Sequence, residues 1–227
     1  MIHINRRLQL VSQYIQGPKL ADIGSDHAYL PIYALQHNIV NTAIAGEIIE
    51  GPFRASIKNV ESYGLSELVD VRKGDGLSIL ASDEKVNTIT ICGMGGPLIG
   101  QILESGKHAL QSNPRLVLQS NIQTAALRQT LQNLNYSIVD ELIFFEKKFI
   151  YEIVVAEVLD KQRQLSPHEI KFGPILMRNK NEAFRSKWTK ELSTLNEISS
   201  KLDEVKHRER LIALNKEIDS IKEVLFT

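Results

Sequence analysis

The strongest constraint on the fold is a repeated unit: a short apolar run that closes on an acid, a glycine or an amide and gives way to a helical pattern. Such runs occupy 19–23, 41–49, 69–73, 88–92 and 115–119. Helical patterns follow the first, second, fourth and fifth of them, over 29–37, 52–63, 98–110 and 124–134. Strands alternating with helices imply a parallel sheet covered on both faces, and strands buried on both faces read as near-continuous apolar runs. The alternation breaks at 137–145 and 149–159, two extended runs joined by Glu146-Lys147-Lys148, which reads as an antiparallel hairpin. Ahead of the first strand, Ile4, Leu8, Val11 and Ile15 mark one face of a helix over 4–16, stopped by Gly17-Pro18. The expected fold class is α/β, a mostly parallel sheet ending in an antiparallel hairpin.

In such sheets ligands bind outside the carboxyl ends of the strands. Those ends carry Asp22, Gly24 and Asp26, then Glu47, then Asp75 between Gly74 and Gly76, then Gly93, then Asn121. The first turn, within Leu-Ala-Asp-Ile-Gly-Ser-Asp-His-Ala-Tyr-Leu-Pro (20–31), is not a dinucleotide fingerprint. Asp26 stands where the second glycine of GxGxxG belongs, and an acid there repels a pyrophosphate. Two carboxylates, Asp22 and Asp26, suit a cationic cofactor such as S-adenosylmethionine. Asp22 also admits a plainer reading as a turn or N-cap acid, and Gly74-Asp75-Gly76 as an ordinary Asp-Gly turn. Glu47 falls 25 residues after Asp22, close to the interval at which doubly wound folds place an acid for a ribose diol.

The net charge of zero conceals an asymmetry. Residues 1–160 carry 13 Lys and Arg against 17 Asp and Glu, whereas 161–227 carry 14 against 10. The boundary expected from this shift divides a ligand-binding body, 1–160, from a helical appendage, 161–227. Lys161, Arg163, Lys171, Arg178, Lys180, Arg185, Lys187 and Lys190 face only Glu169 and Glu182 in their stretch, a footprint for nucleic acid or simply a solvated helix surface. Arg6 and Arg7 sit in a helix first turn, where the macrodipole does not favour cations; a phosphate is one reason, chance another. Apolar stripes at Phe184, Trp188, Leu192, Leu195, Ile198 and Leu202 and at Leu211, Leu214, Ile218, Ile221 and Leu225 predict two helices paired as an antiparallel hairpin. The link 204–210 holds no Gly or Pro, so one long helix and an intermolecular coiled-coil dimer stand as alternatives. The single cysteine excludes an internal disulfide and a thiolate zinc cluster. No run of about 18 apolar residues and no secretory pattern is present, so a cytoplasmic protein, a monomer without metal or membrane partner, is expected.

With Asp22-Ile23-Gly24-Ser25-Asp26-His27-Ala28-Tyr29-Leu30-Pro31, Gly74-Asp75-Gly76 and Gly93-Met94-Gly95-Gly96 in view, the chain resembles the bacterial tRNA adenine-N1 methyltransferases that modify adenine 22 in the D-arm. The resemblance covers essentially the whole chain and implies a Rossmann-like class I methyltransferase domain with a C-terminal helical coiled-coil domain. It implies S-adenosylmethionine as methyl donor and tRNA as acceptor. Carried over by position, Asp22 and Gly24 belong to the loop under the donor's methionine end, and Asp26 and His27 replace the usual glycine-rich continuation. Glu47 takes the ribose hydroxyls, Asp75 with Gly74 and Gly76 the adenine amine, and Cys92 and Gly93 flank the transferring methyl group. The fifth-strand exit reads Gln119-Ser120-Asn121 where the family usually has Gln-Pro-Asn.

Enzymes that methylate exocyclic amines commonly carry Asp/Asn-Pro-Pro-aromatic after the fourth strand; Cys92-Gly93-Met94-Gly95 stands there instead. Adenine N1 has a free lone pair, so catalysis should rest on alignment and on a carboxylate favouring the growing cation. Asp26 is the expected carboxylate, with His27 or Tyr29 positioning the base; His27 as an ordinary turn residue is the competing reading. Cys92 is expected to line the pocket rather than attack. Met94 and Gly95, with Asn121, Arg6 and Arg7, are expected on the substrate side, together with the basic appendage. The alternatives are a methyltransferase for another RNA or a small molecule, and a non-catalytic donor-binding scaffold.

Overall fold

The computed structural model describes residues 1–203 and 205–226. In chain order the elements are α1 (Arg6–Ser12), β1 (Lys19–Ile23), α2 (Tyr29–Gln36), β2 (Thr42–Glu47), α3 (Glu50–Ser62), β3 (Val69–Lys73), β4 (Thr88–Met94), α4 (Gly96–Ser105), β5 (Arg115–Ser120), α5 (Thr124–Asn133), β6 (Ser137–Glu146), β7 (Phe149–Glu157), α6 (Pro167–Phe172), α7 (Glu182–Ser200) and α8 (Arg208–Phe226). All seven strands form one sheet in the order β3-β2-β1-β4-β5-β7-β6. β1 to β5 run parallel, and β7 enters antiparallel between β5 and β6. The order reverses between β1 and β4, which opens a crevice at their carboxyl ends.

Side chains alternate across the sheet, so each strand feeds two cores. Ile89, Ile91, Leu116, Leu118 and Val154 meet Ile99, Leu103, Leu127 and Leu131 from α4 and α5. Leu20, Ala45, Val117, Ile153 and Val155 meet Val11, Ile32 and Val60 from α1, α2 and α3. That same alternation turns Asp22, Thr90 and Cys92 toward the second face, with Asp22 paired to Thr90 and Cys92 to Gln119 by register. A third core lies under the appendage, where Phe172, Phe184, Trp188, Leu195, Ile218 and Ile221 pack on Ile143 of β6.

The strands expected from sequence are all present, with β2 and β7 each ending two residues early at Glu47 and Glu157 and β4 two residues late at Met94; the larger differences concern helices. α1 covers only Arg6–Ser12, because Asn5 caps it by accepting from the Leu8 N–H at 2.9 Å. The expected helix 98–110 is divided at Gly106, where a Cβ would collide with Leu77, leaving α4 and a short 3-10 turn at Lys107–Leu110. α6, unanticipated, starts in a capping box: Ser166 accepts from the Glu169 N–H and Glu169 from the Ser166 N–H. The two apolar stripes do pair as an antiparallel hairpin, for Arg185 near the start of α7 reaches the Leu225 carbonyl near the end of α8. Asp203 sets the turn by accepting from the Val205 and Lys206 N–H groups at 3.0 and 2.8 Å; Glu204 of the expected link lies outside the described residues. No helix among the described residues is long and apolar enough to cross a membrane.

Body and appendage join through buried charge. Arg128 of α5, 1% exposed, donates to Glu141 of β6 at 2.7 Å and Glu152 of β7 at 2.6 Å. The second Glu141 oxygen accepts the Ile175 N–H at 2.9 Å, and the other Glu152 oxygen takes Lys187 of α7. Burial works against ionisation of Glu152, but Arg128 and Lys187 outweigh it and hold its carboxyl below the usual range. Gly173, at φ +92°, passes so close that a Cβ would stand 2.8 Å from Arg128 and Glu141. Removing one member strands buried charge, so Arg128→Met should cost about 3–5 kcal/mol. Urea unfolding of wild type and variant at pH 7 measures that loss; a loss below about 1 kcal/mol would show the cluster to be dispensable.

Candidate active site

The turn after β1 is held from three sides. Gly24 and Ser25 donate their N–H groups to the Gly46 carbonyl at the end of β2. Beneath them the Asp22 carboxylate accepts from Ser25 Oγ and from Thr90 Oγ1 of β4, both at 2.6 Å. Asp26, His27 and Ala28 then take φ values of +39°, +67° and +56°, three successive left-handed residues that are not glycine. Each costs about 1–2 kcal/mol in that region, so other contacts must fix them. Glu47 Oε1 accepts the Asp26 N–H at 2.7 Å, and Asn59 Nδ2 of α3 donates to the His27 carbonyl at 2.9 Å.

This geometry leaves the Asp26 side chain 78% exposed at the carboxyl end of β1, with His27 Nε2 3.5 Å from its carboxylate. The His27 ring stacks on Tyr29 with centroids 5.3 Å apart and planes 15° from parallel. Asp22 lies beneath the loop: at 3% exposure, with both oxygens bonded, it braces the turn from below, so of the two acids of this turn only Asp26 faces outward. The outward acids are Asp26 and Asp75, with Glu47 in the wall between them.

At the ends of β2 and β3 the Gly74 N–H is bonded to the Glu47 carbonyl, and Gly76 turns at φ +52°. A groove of about 540 Å³ opens from Asp75 and Gly76 along Leu77, Leu98 and Ile102. The neighbouring cation, Lys73, is occupied by Glu50 at 2.5 Å. This wall therefore offers acceptors and glycine-lined space.

The β4 and β5 ends form the opposite wall. Gly93, at φ +78°, donates its N–H to Gln119 Oε1 at 2.9 Å, and its carbonyl accepts Asn121 Nδ2 at 2.7 Å. Gln119 Nε2 donates to Asn121 Oδ1 at 3.0 Å, and Arg7 Nη1 caps the Gln119 oxygen. The Gln119-Ser120-Asn121 exit thus clamps Gly93 on both sides. Arg7 lies over the Tyr151 ring at 5.7 Å, turned into the protein rather than out as a phosphate hook; Arg6 bonds the Phe145 carbonyl at 3.4 Å. Met94 reaches back to Gly24, where a Cβ would collide with its methyl group, so its side chain lies over the turn after β1. Gly95 packs against exposed Ile122. Burial holds the Cys92 thiol well above its usual range, which suits a lining residue and not a nucleophile. Among the described residues no group of three or more His, Cys, Asp or Glu is placed to hold a metal ion.

Several basic residues of the appendage are committed to partners within the protein. Arg163 forks onto Glu169 at 2.7 and 3.0 Å, Lys171 pairs with Glu217 at 3.0 Å beneath Trp188, and Lys187 serves Glu152. Arg185 bonds the Lys180 and Leu225 carbonyls. Lys161, Arg178, Lys180 and Lys190 have no acid within 4 Å among the described residues. Ser25, Asn59, Thr90 and Gln119 were not anticipated as site residues. Gln119 alone carried a signal, a polar residue closing a buried strand; Asn59 lies in mid-helix, where sequence gives none.

A sheet ordered 3-2-1-4-5-7-6, with strand 7 antiparallel and an acidic crevice at its switch point, defines a class I methyltransferase. The sequence profile of the tRNA (adenine(22)-N(1))-methyltransferase family matches residues 20–223, and the chain belongs to that family. It is 40% identical over 233 residues to the tRNA (adenine(22)-N(1))-methyltransferase of Bacillus subtilis, covering 99% of this chain and 98% of that one. The crystal structure of the B. subtilis enzyme superposes with a TM-score of 0.92 at 39% identity, covering 99% and 100% of the two chains. A Streptococcus pneumoniae structure in complex with S-adenosyl-L-methionine superposes with a TM-score of 0.89 at 42% identity, covering 98% and 100%.

Burial pushes the Asp22 carboxyl up to about 6, against the hydrogen bonds from Ser25 and Thr90. The folded protein then binds more protons than the unfolded chain between about pH 4 and 6, so the carboxylate's stability cost grows through that window and is complete above it. Asp22→Asn removes the charge. The difference in Tm, variant minus wild type, should rise from pH 4 to pH 6.5 in paired melts; a difference independent of pH would show that Asp22 ionises without penalty.

Proposed function

We propose that this chain transfers the methyl group of S-adenosylmethionine to N1 of adenine 22 in the D-arm of tRNA. The observation that carries the reading is the acidic crevice at the switch point of a class I sheet, in a chain of this family. Acceptors on Glu47 and Asp75, a carboxylate on Asp26 and the glycine turns at 24, 74, 76 and 93 fit a donor with positive charge, a ribose diol and an adenine amine. When bound, S-adenosylmethionine supplies an electrophilic methyl group on a sulfonium.

The chain's own residues divide the work. Glu47 has one oxygen on the Asp26 N–H and its second oxygen for a ribose hydroxyl. Asp75, with Gly74 and Gly76, receives the donor's adenine. Gly24, with Asp22 beneath and Met94 above, shapes the methionine end. Cys92 and the clamped Gly93 border the transfer point. N1 needs no general base, so the task is to hold the target ring and favour the cation forming on it. Asp26 accepts the N6 hydrogens, and the His27–Tyr29 stack supplies a flat surface for the base. Gly95 and Asn121, with Arg6 and Arg7 behind the substrate-side wall, complete that side.

The division of labour follows the chain: 1–160 binds donor and target base, and 161–227 grips the tRNA through backbone contacts that position without reading sequence. Arg178, Lys180 and Lys161 are the foremost phosphate contacts, whereas Arg163, Lys171, Arg185 and Lys187 chiefly hold the appendage together. The working unit is one chain, because the stripes of α7 and α8 cover each other, and its place is the cytoplasm, where its substrate is made.

Labelled donor and bulk tRNA, followed by mapping of the modified nucleotide, test the whole reading. Label at N1 of adenine 22 is expected; label elsewhere, or none, would sink it. Asp26→Ala should lower kcat by about 100-fold and weaken donor binding far less, by under about tenfold. Equal losses in both would make Asp26 a donor ligand only. Arg178→Glu with Lys180→Glu should weaken tRNA binding and flatten its salt dependence by about two in log-log slope, with donor binding intact.

A further inference from the structure

We infer that the tip of the β6–β7 hairpin, together with Arg6 of α1, forms a second RNA contact on the body itself, at the lip of the transfer site; this rests on the tRNA reading above. The register pairs Glu146 with Phe149, so the loop is two residues, Lys147-Lys148. Lys147 stands at φ +56°. Two-residue hairpin loops favour glycine, asparagine or aspartate wherever φ is positive. A lysine pair is locally the wrong choice, and such conflicts between local preference and fold gather where a surface has another task.

Charge singles out the same place. Of the 13 cations in residues 1–160, Lys19, Arg54, Arg72, Lys73, Arg115 and Arg128 each have an acidic side chain within 4 Å. Among the seven others, Arg6, Lys147 and Lys148 gather at this tip, and Arg7 lies just behind it with its charge turned inward onto Gln119. The Arg6 guanidinium bonds the Phe145 carbonyl, and the Arg7 backbone N–H is bonded to Glu146 Oε1 at 3.2 Å, tying α1 to the hairpin. Phe149, 54% exposed, carries Lys148 Nζ at 5.5 Å from its ring centroid. Cations beside an exposed aromatic ring are what a single-stranded stretch of nucleic acid requires: charge for phosphates, which can draw Lys148 off the ring, and a ring for an unstacked base.

Position ties the lip to the chemistry. Arg7 joins the tip to Gln119, which holds Gly93, so the lip stands on the β4–β5–β7 side of the crevice, away from Glu47 and Asp75. Nucleotides flanking an exposed adenine would cross it. The appendage cations and this lip then grip the tRNA at two separate places.

The double variant Lys147→Gly, Lys148→Ser tests this without endangering the fold, since glycine is favoured at the left-handed position. Its Tm should match or exceed that of wild type. At fixed low salt its tRNA affinity should fall about tenfold, with a log-log salt slope shallower by about two. KM for tRNA should rise more than kcat falls, donor Kd should not change, and Arg6→Ser should give a smaller loss of the same kind. Unchanged tRNA affinity and slope in the folded variant would overturn the inference, as would a donor affinity falling by the same factor as that for tRNA. If wild-type protein binds tRNA with no salt dependence, the tRNA reading itself fails, and that is seen before any variant is made.

Discussion

The site depends on a backbone that does not relax. Asp26, His27 and Ala28 hold left-handed conformations that glycine would adopt freely and other residues resist. Three elements impose them: β2 through Glu47 and the Gly46 carbonyl, α3 through Asn59, and β4 through Thr90 acting on Asp22. The strain is local and the restraint is distributed. An acid is thereby held outward at the crevice mouth, with a histidine and a tyrosine stacked beside it, on a turn whose own residues would not choose that shape.

The two walls of the crevice are built differently. On the β2–β3 side, acids and glycines leave acceptors and space, and the nearest cation is already paired. On the β4–β5 side, a side-chain amide network fixes Gly93, and Arg7 supplies positive charge from α1. The change falls at the line where the strand order reverses. Acceptors and positive charge therefore lie on opposite sides of one crevice, to either side of that line.

The appendage is a structural partner of the body as much as an attachment to it. Arg128, Glu141 and Glu152 lie within the α/β layer, yet their remaining bonding capacity is met by the Ile175 N–H and by Lys187. Charges this deeply buried tolerate little displacement, because a lost partner leaves an uncompensated ion. The appendage is thus fixed in register against β6 and β7, the strands whose tip carries Lys147 and Lys148. Basic character by composition was an incomplete guide here: Lys187 and Lys171 are basic residues whose partners are internal.

Sequence alone determined the strands, the helices behind them and the residues at strand ends, because alternation of buried runs with amphipathic ones is a local property and a parallel sheet follows from it. It showed as well two apolar stripes that each needed a partner, without deciding whether that partner lay in the same chain. What the tertiary structure decided was orientation and partnership. Asp22 and Asp26 are four residues apart and chemically alike, but one faces Thr90 and is sealed while the other faces solvent. Met94 turned to Gly24, Arg7 to Gln119, and Asn59 to the His27 carbonyl, none of which spacing along the chain encodes. Such contacts join residues from different strands and helices, and their geometry exists only once the sheet has set the register between them.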